Sequence, residues 1–279
     1  MSPGVTVPGG ATVPGSVLPM RILLTNDDGT DAPGLPSFVR ALREVGEVGV
    51  VVPDRERSWV SKAITRFEPV TVTEAEVEGV PVMACSGFPA DCVQLGIHVL
   101  FERPDIVVSG INIGYNHGSA YLQSSGTAGA ALEAGIAGVP ALAFSAGSHL
   151  VPWADWKLQV LEPEATPMWE RLAGVAAQMV ADAAPVARPG DVLNVGLPDD
   201  ATHETKRELT RVAASGYDRL FREERPGVYV HAYGGLIHDP TAVDGTDVGA
   251  AMEGVISLTP VRGAGDANIN ESLIKALAG

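Results

Sequence analysis

Four polar stretches have the residue types that chemistry needs: Asn26-Asp27-Asp28-Gly29, Asp54 to Ser58, Ser109 to Asn116, and Ser124 to Thr127. Each stands at or just after the carboxyl end of a segment that reads as a buried strand. That edge is where ligands bind in open parallel sheets. Asp27 and Asp28 are adjacent, and two ionised carboxylates so close repel unless a cation, a shared proton or strong hydrogen bonds compensate. A hard divalent cation does so most simply. The plainer reading of an isolated NDDG is an Asx turn with Asp as helix cap. Ser58 and Asn112 shift the balance, because each brings a neutral oxygen from a different strand end toward the same crevice. Two carboxylates with neutral oxygens suit Mg²⁺, Mn²⁺ or Ca²⁺, whereas zinc draws on His or Cys.

Ser124 to Leu132 (SSGTAGAAL) places hydroxyls and small residues where a helix begins, so its unpaired amides form a ready anion site; plain N-capping needs the same residues. His117, in GYNHG, is the one histidine inside a polar cluster, where it either donates a proton to a leaving alkoxide or caps the turn. The sequence contains no GxxxxGK[ST], GxSxG or HExxH, and Gly110, Gly114 and Gly118 do not form a GxGxxG. P-loop, dinucleotide, serine-triad and zincin readings thereby lose their support.

These residues need a scaffold, and its pattern is regular. Arg21 to Thr25 (RILLT), Val48 to Val52, Pro104 to Gly110, Pro140 to Ser145 and Val192 to Leu197 are short apolar runs, as in strands buried on both faces. Helical spacing appears at Leu35 to Val45, from Ala90 and Asp91 onward, at Thr127 to Ala137 and at Met168 to Ala183. Val70 to Cys85 alternates around Glu78-Gly79, as a hairpin does. The alternation predicts an α/β fold: a Rossmann-like parallel sheet in a three-layer α/β/α arrangement. Residues 146–165 read as a polar, Trp-bearing link. RPGVYVHAYGG, with period-two character, predicts a projecting C-terminal β-hairpin near 216–245, a candidate oligomer contact.

The chain has 279 residues, 46% of them hydrophobic, with 19 Lys plus Arg against 34 Asp plus Glu and a net charge of −15. Such a field repels polyanions over about 8 Å at physiological salt, so nucleic-acid polymers are not expected partners. A small anion remains acceptable where a cation or aimed amides reverse the sign locally. Cys85 and Cys92 form no CxxC and read as buried thiols. Residues 1–19 read as a flexible extension and not a signal peptide, and no apolar run is long enough to span a membrane; a cytoplasmic location is the expectation.

Taken together, RILLTNDDG, PDRERS, ADCVQLG, PDIVVSGINIGYNHG, SSGTAGAALEA and TDVGAAMEGVISLTPV resemble the SurE family of survival nucleotidases, from about residue 20 almost to the C terminus. The resemblance implies a metal-dependent phosphatase of nucleoside 5′- and 3′-monophosphates, with a Rossmann-like core spanning 20–279. It implies one divalent cation per subunit, Mg²⁺ or Mn²⁺, with Ca²⁺ an acceptable substitute, and homodimers or homotetramers through a swapped hairpin. Its metal ligands fall on Asp27, Asp28, Ser58 and Asn112, with Asp27 and Asp28 catalytic. Its phosphate contacts fall on Asn116, Ser125, Gly126 and Thr127. Trp59, Lys62 and His117 depart from the family pattern; Trp59 and Lys62 are expected at the site's rim, Lys62 as a further phosphate contact. The rival class is a nucleotide-binding regulatory α/β module without turnover.

Overall fold

The apolar run RILLT becomes β1 (Arg21–Thr25), with only Arg21 partly exposed. In the computed structural model, which describes residues 19–232 and 235–263, it leads into α1 (Leu35–Arg43), β2 (Glu47–Pro53) and the hairpin β3 (Val72–Val77) and β4 (Val80–Cys85). That hairpin turns on Glu78 and Gly79, both at positive φ (48° and 76°), the geometry that matches the twist of paired strands. Next come α2 (Pro89–Leu95), which runs on as a π-helical turn, β5 (Ile106–Ile113), α3 (Gly118–Ser124), α4 (Gly126–Ile136), β6 (Ala141–Gly147), α5 (Trp153–Gln159), α6 (Thr166–Ala183) and β7 (Val192–Pro198). The chain continues through β8 (Arg207–Leu209), β9 (Ser215–Gly216), β10 (Phe221–Arg225), β11 (Val228–His231), β12 (Ile237–His238), α7 (Asp247–Met252) and β13 (Ile256–Val261).

Nine strands form one sheet in the order β3-β4-β2-β1-β5-β6-β7-β13-β8. From β4 to β7 neighbours are parallel, while β3 on β4 and β13 on β7 are antiparallel. The period of two inside the apolar runs explains the layers. Ile22 and Leu24 of β1 face one core with Phe38, Phe144, Trp169 and Leu172, whereas Leu23 faces the other with Val51, Val107, Ala130 and Ala134. Both faces are therefore covered, by α1 and α6 on one side and α2 and α4 on the other. Phe38 and Phe144 meet edge to face across the first core, with ring centroids 5.8 Å apart.

Two features differ from the expectation. Residues 146–165 contain α5, a helix of seven residues in which only Trp156 is buried, so its apolar periodicity is too short to read. After β7 the sheet gains β13 and β8, because TDVGAAMEGVISLTPV returns to the core as α7 and β13. The hairpin β10–β11 forms as expected, with every residue of β10 exposed, and among the described residues pairs only with itself. Residues 1–18 of the expected extension lie outside the described residues.

One irregularity matters for the site. Ser109 pairs with Ala143 but Asn112 with Ser145, so β5 carries one extra residue and Asn112 is re-aimed. Gly110 sits in this bulge at φ +127°, and a Cβ there would lie 2.3 Å from the Phe144 carbonyl oxygen. Gly110→Ala is therefore expected to cost more than about 1 kcal/mol in denaturant unfolding. Gly216→Ala, where nothing lies within 4 Å of an added Cβ, is the control that leaves the midpoint unchanged. Equal midpoints for both variants would remove the bulge from the argument.

Candidate active site

Asn26 shapes the turn after β1. Its Oδ1 accepts from the Gly29 amide and its Nδ2 donates to the Gly29 carbonyl, both at 3.0 Å. The Asx-turn role thus falls to Asn26 and frees the two aspartates from it. Neither caps α1, whose N-cap is Gly34. Gly29 has φ +83°, and a Cβ there would meet the Arg55 backbone at 2.6 Å, so the loop after β2 crosses directly over this turn. The Arg57 amide donates to the Asp27 carbonyl at 2.7 Å, fastening the loop that carries Ser58 to the turn that carries Asp27.

Asp27 is buried, and Asp28 is half-buried beside it. Thr127 Oγ1 donates to Asp27 Oδ1, and the amides of Gly126 and Thr127 also support that carboxylate. The Ile113 amide donates to Asp28 Oδ2 at 3.2 Å. These donors do not offset burial, which pushes the Asp27 carboxyl up to about 6. Asp28 is held well above the usual carboxylate range, by burial first and by the charge of Asp27 second; Glu56 adds to the rise and Lys157 opposes it.

The pair opens onto a cavity of about 1090 Å³ whose wall also includes Ser58, Asn112, Asn116 and Ser125. All four expected cation-binding residues therefore share one cavity. Ser58 Oγ donates to Glu56 Oε1 at 2.7 Å, and Asn112 Nδ2 donates to the Gly114 carbonyl at 2.6 Å, which leaves Asn112 Oδ1 as the oxygen with capacity to spare. Asn116 is buried, held by a bond from its amide to Ser145 Oγ and by Asn194 Nδ2 on its carbonyl. Its Nδ2 has no acceptor among the described residues, an orphan donor on the cavity wall that an anionic oxygen satisfies. Ser125 caps α4 by accepting from the Ala128 amide, so the capping reading holds for this hydroxyl. Gly126 and Thr127 stand one layer back, packed against Asp27; a Cβ at Gly126 would lie 2.8 Å from the Asp27 Cβ.

The departing positions separate. Trp59, at φ +62°, lines the cavity, its ring 5.0 Å from His231 of the hairpin and 5.6 Å from Tyr217. Lys62 does not line it: its ammonium is 2.6 Å from buried Glu133, which Gln94 also contacts, so the expected phosphate contact from Lys62 is replaced by a structural ion pair. His117 stacks between Tyr115 and Tyr121, at 5.0 and 6.1 Å. Burial, then the charge of His238, brings its pKa down to about 4, so near neutral pH it has no imidazolium proton to give. Its side chain makes no cap bond to α3 either.

Two contributors escaped the sequence reading. Lys157 of α5 is the single Lys or Arg on the described cavity wall, on a helix too short to show a pattern. Asp247 accepts from the amides of Gly118 (2.9 Å) and Ala213 (2.9 Å), pinning the loop that bears Asn116 and His117; TDVG carried the signal, as a helix start. Behind cavity-lining Trp156 and Tyr115, His149, Asp199 and Asp200 are the described His/Cys/Asp/Glu residues whose ligand atoms come within 4.8 Å of one another. Asp199 is bonded to Trp156 Nε1.

A family model described as survival protein SurE matches residues 22–219. The 5′-nucleotidase SurE of Methanopyrus kandleri is 40% identical over 264 residues, 92% of this chain and 98% of the relative. That of Rubrobacter xylanophilus is 41% identical over 254 residues, 87% and 91% of the two chains. The crystal structure of SurE from Aquifex aeolicus superposes with a TM-score of 0.69 at 30% identity, covering 92% of this chain and 98% of that one.

The buried pair fixes the sign of a pH effect. The folded value of Asp27 lies above 3.8, so its contribution to stability is complete below about pH 3.8 and is lost as the pH rises through about 6. In EDTA, Asp27→Asn is expected to stabilise the chain at about pH 7.5, by on the order of 2 kcal/mol, with a smaller gain at about pH 5. Thermal melts at the two pH values check this; a variant no more stable than the parent at the higher pH contradicts it.

Proposed function

The chain belongs to the survival protein SurE family, and from that membership together with the geometry of the cavity we propose that it hydrolyses nucleoside 5′- and 3′-monophosphates to nucleoside and phosphate. The observation that carries the reading is the pair of buried Asp27 and half-buried Asp28 at the carboxyl end of β1, lining one cavity with Asn116, whose Nδ2 has no acceptor among the described residues. Two carboxylates at raised pKa beside a hydroxyl and an amide carbonyl form an all-oxygen donor set, which fits a hard divalent ion such as Mg²⁺ or Mn²⁺. Asp27, Asp28, Ser58 and Asn112 would hold it. When bound, such an ion supplies Lewis-acid polarisation of the phosphoryl group and lowers the pKa of a water.

The remaining work falls to the chain's own groups. Asn116 Nδ2 donates to a phosphoryl oxygen, and the Asn116 backbone that carries it is held by the bonds from Asn194 Nδ2 and to Ser145 Oγ. The Ser125 hydroxyl, whose oxygen already accepts from Ala128, has its proton left to give a second oxygen. The first amides of α4 and the Thr127 hydroxyl act on Asp27 and not on the substrate; they fix the carboxylate's orientation. Lys157, which also lines the cavity, offsets part of the charge that Asp27, Asp28, Asp31 and Glu56 present to an incoming dianion.

Phosphate release from a panel of 5′- and 3′-monophosphates tests this. Release is expected to vanish in EDTA and return with Mg²⁺ or Mn²⁺. Asp28→Ala is expected to lower kcat/KM about a thousandfold, roughly 4 kcal/mol of transition-state stabilisation. Release that ignores EDTA, or survives in Asp28→Ala, overturns the site; metal-dependent nucleotide affinity without release points to a binding module instead.

We also infer self-association through β10–β11, supported by the exposure of Phe221 and Tyr229 on a hairpin that among the described residues pairs only with itself. Sedimentation is expected to show a homodimer or homotetramer that Phe221→Asp/Tyr229→Asp shifts toward monomer; a monomeric parent chain contradicts it.

A further inference from the structure

The loop after β2 serves two hollows. Glu56 and Ser58 line the large cavity, while Arg55 and Arg57 line a separate cleft of about 420 Å³ together with Arg66, Phe67 and Phe88. Alternate side chains of one extended segment thus face different sites. Three of the chain's 19 basic residues gather in that cleft, in a molecule whose net charge is −15. Asp54, 3.6 Å from Arg55 and 3.7 Å from Arg57, offsets part of this charge, Glu68 also lines the cleft and Asp91 accepts from Thr65 and the Phe88 amide, so the case for an anion rests on the guanidinium donors and not on net charge.

Arg57 is the most constrained of the three. Its Nη2 donates to the Ser86 carbonyl at 2.5 Å and its guanidinium lies 5.4 Å from the Phe88 ring centroid. Its Nε, however, is buried with no acceptor among the described residues. A buried guanidinium N–H without an acceptor is costly, and an anionic oxygen is its best partner. Beside it, Phe67 is 89% exposed, with the Arg66 guanidinium 5.1 Å from its ring centroid. An aromatic plane and an arginine plane together offer a stacking surface for a flat ring.

We propose that this cleft is a second ligand site, which takes a nucleotide by its phosphate on Arg55 and Arg57 and by its base on Phe67 and Arg66. The choice of a base over other flat rings rests on the nucleotidase reading; the anion site does not. Its position makes it an effector site. The Arg57 amide bonds to the Asp27 carbonyl and the Arg55 backbone packs on Gly29, so a ligand that orders this loop also orders the placement of Ser58. Coupling of this kind is reciprocal.

Equilibrium dialysis of the full chain in Mn²⁺ tests it, with an AMP analogue whose ester oxygen is replaced by methylene so that it is not hydrolysed. Two bound analogues per chain are expected in the parent, one in Arg55→Ala/Arg66→Ala and one in Asp28→Ala. The arginine variant changes exposed side chains, and its melting temperature and its phosphate release from a small phosphomonoester without a base are expected to match the parent. At the cleft, the ribose phosphonate that lacks the base is expected to bind at least tenfold more weakly. One analogue per chain in the parent, removed by Asp28→Ala, overturns the proposal and leaves the nucleotidase reading intact. Two in the arginine variant overturns it as well. A count that falls in the arginine variant but not in Asp28→Ala supports the cleft while removing the primary site. Equal affinity for the baseless phosphonate overturns the stacking assignment.

Discussion

Two like charges side by side, largely out of water, are the constraint around which the rest of this molecule is arranged. Burial disfavours each carboxylate of Asp27 and Asp28, and each raises the cost of ionising the other. A sheet edge that only needed a stable turn would not place them there. Local donors lessen the penalty without removing it: Thr127 and the first amides of α4 for Asp27, the Ile113 amide for Asp28. On the proposed function, that residual imbalance draws a cation to the cavity, and the cation is what lets a chain of net charge −15 accommodate a phosphate dianion. The counter-charge is borrowed at the site and not spread over the surface.

The scaffold meets that constraint through a few close backbone approaches. Gly29 lets the loop after β2 lie on the turn after β1, Gly126 lets α4 begin against Asp27, and the bulge at Gly110 turns Asn112 toward the pair. Each is a place where a side chain would push donors apart, and each connects a different βα unit to the same point. The catalytic proposal and the second cleft both depend on the first of these. The segment from Arg55 to Ser58 has no room to move independently of Asp27.

Much of this was legible in the sequence. The apolar runs gave the parallel strands close to their observed limits, because strands buried on both faces have no polar residues to blur them. The oxygen cluster was legible because its members recur at one level of the sheet, a position that hydrophobic patterning locates well. What could not be read depends on side-chain direction. Nothing in the spacing says that Lys62 turns to Glu133, that Thr127 faces Asp27 from behind, or that His117 is neutralised between two tyrosines. The helix α5 was invisible because one buried residue makes no period, and with it Lys157 was missed. The return of the chain to the sheet as β13 was missed because the exposed hairpin before it looked like the end of the core.

The long reach of the hydrogen bonds has a consequence for the order of events during synthesis. Thr127 supports Asp27 across 100 residues, and Asp247 holds the Gly118 amide across 129. A chain emerges N-terminus first, so the two acids are among the earliest described residues to leave the ribosome while the partners that orient them come much later. Until Asp247 has emerged, the segment with Asn116 lacks its anchor, although the donors that support the pair, Ile113, Gly126 and Thr127, have all been made. On the proposed function, the phosphate donor Asn116 is thereby the last part of the site to be fixed in place, and a product terminated before Asp247 lacks that anchor.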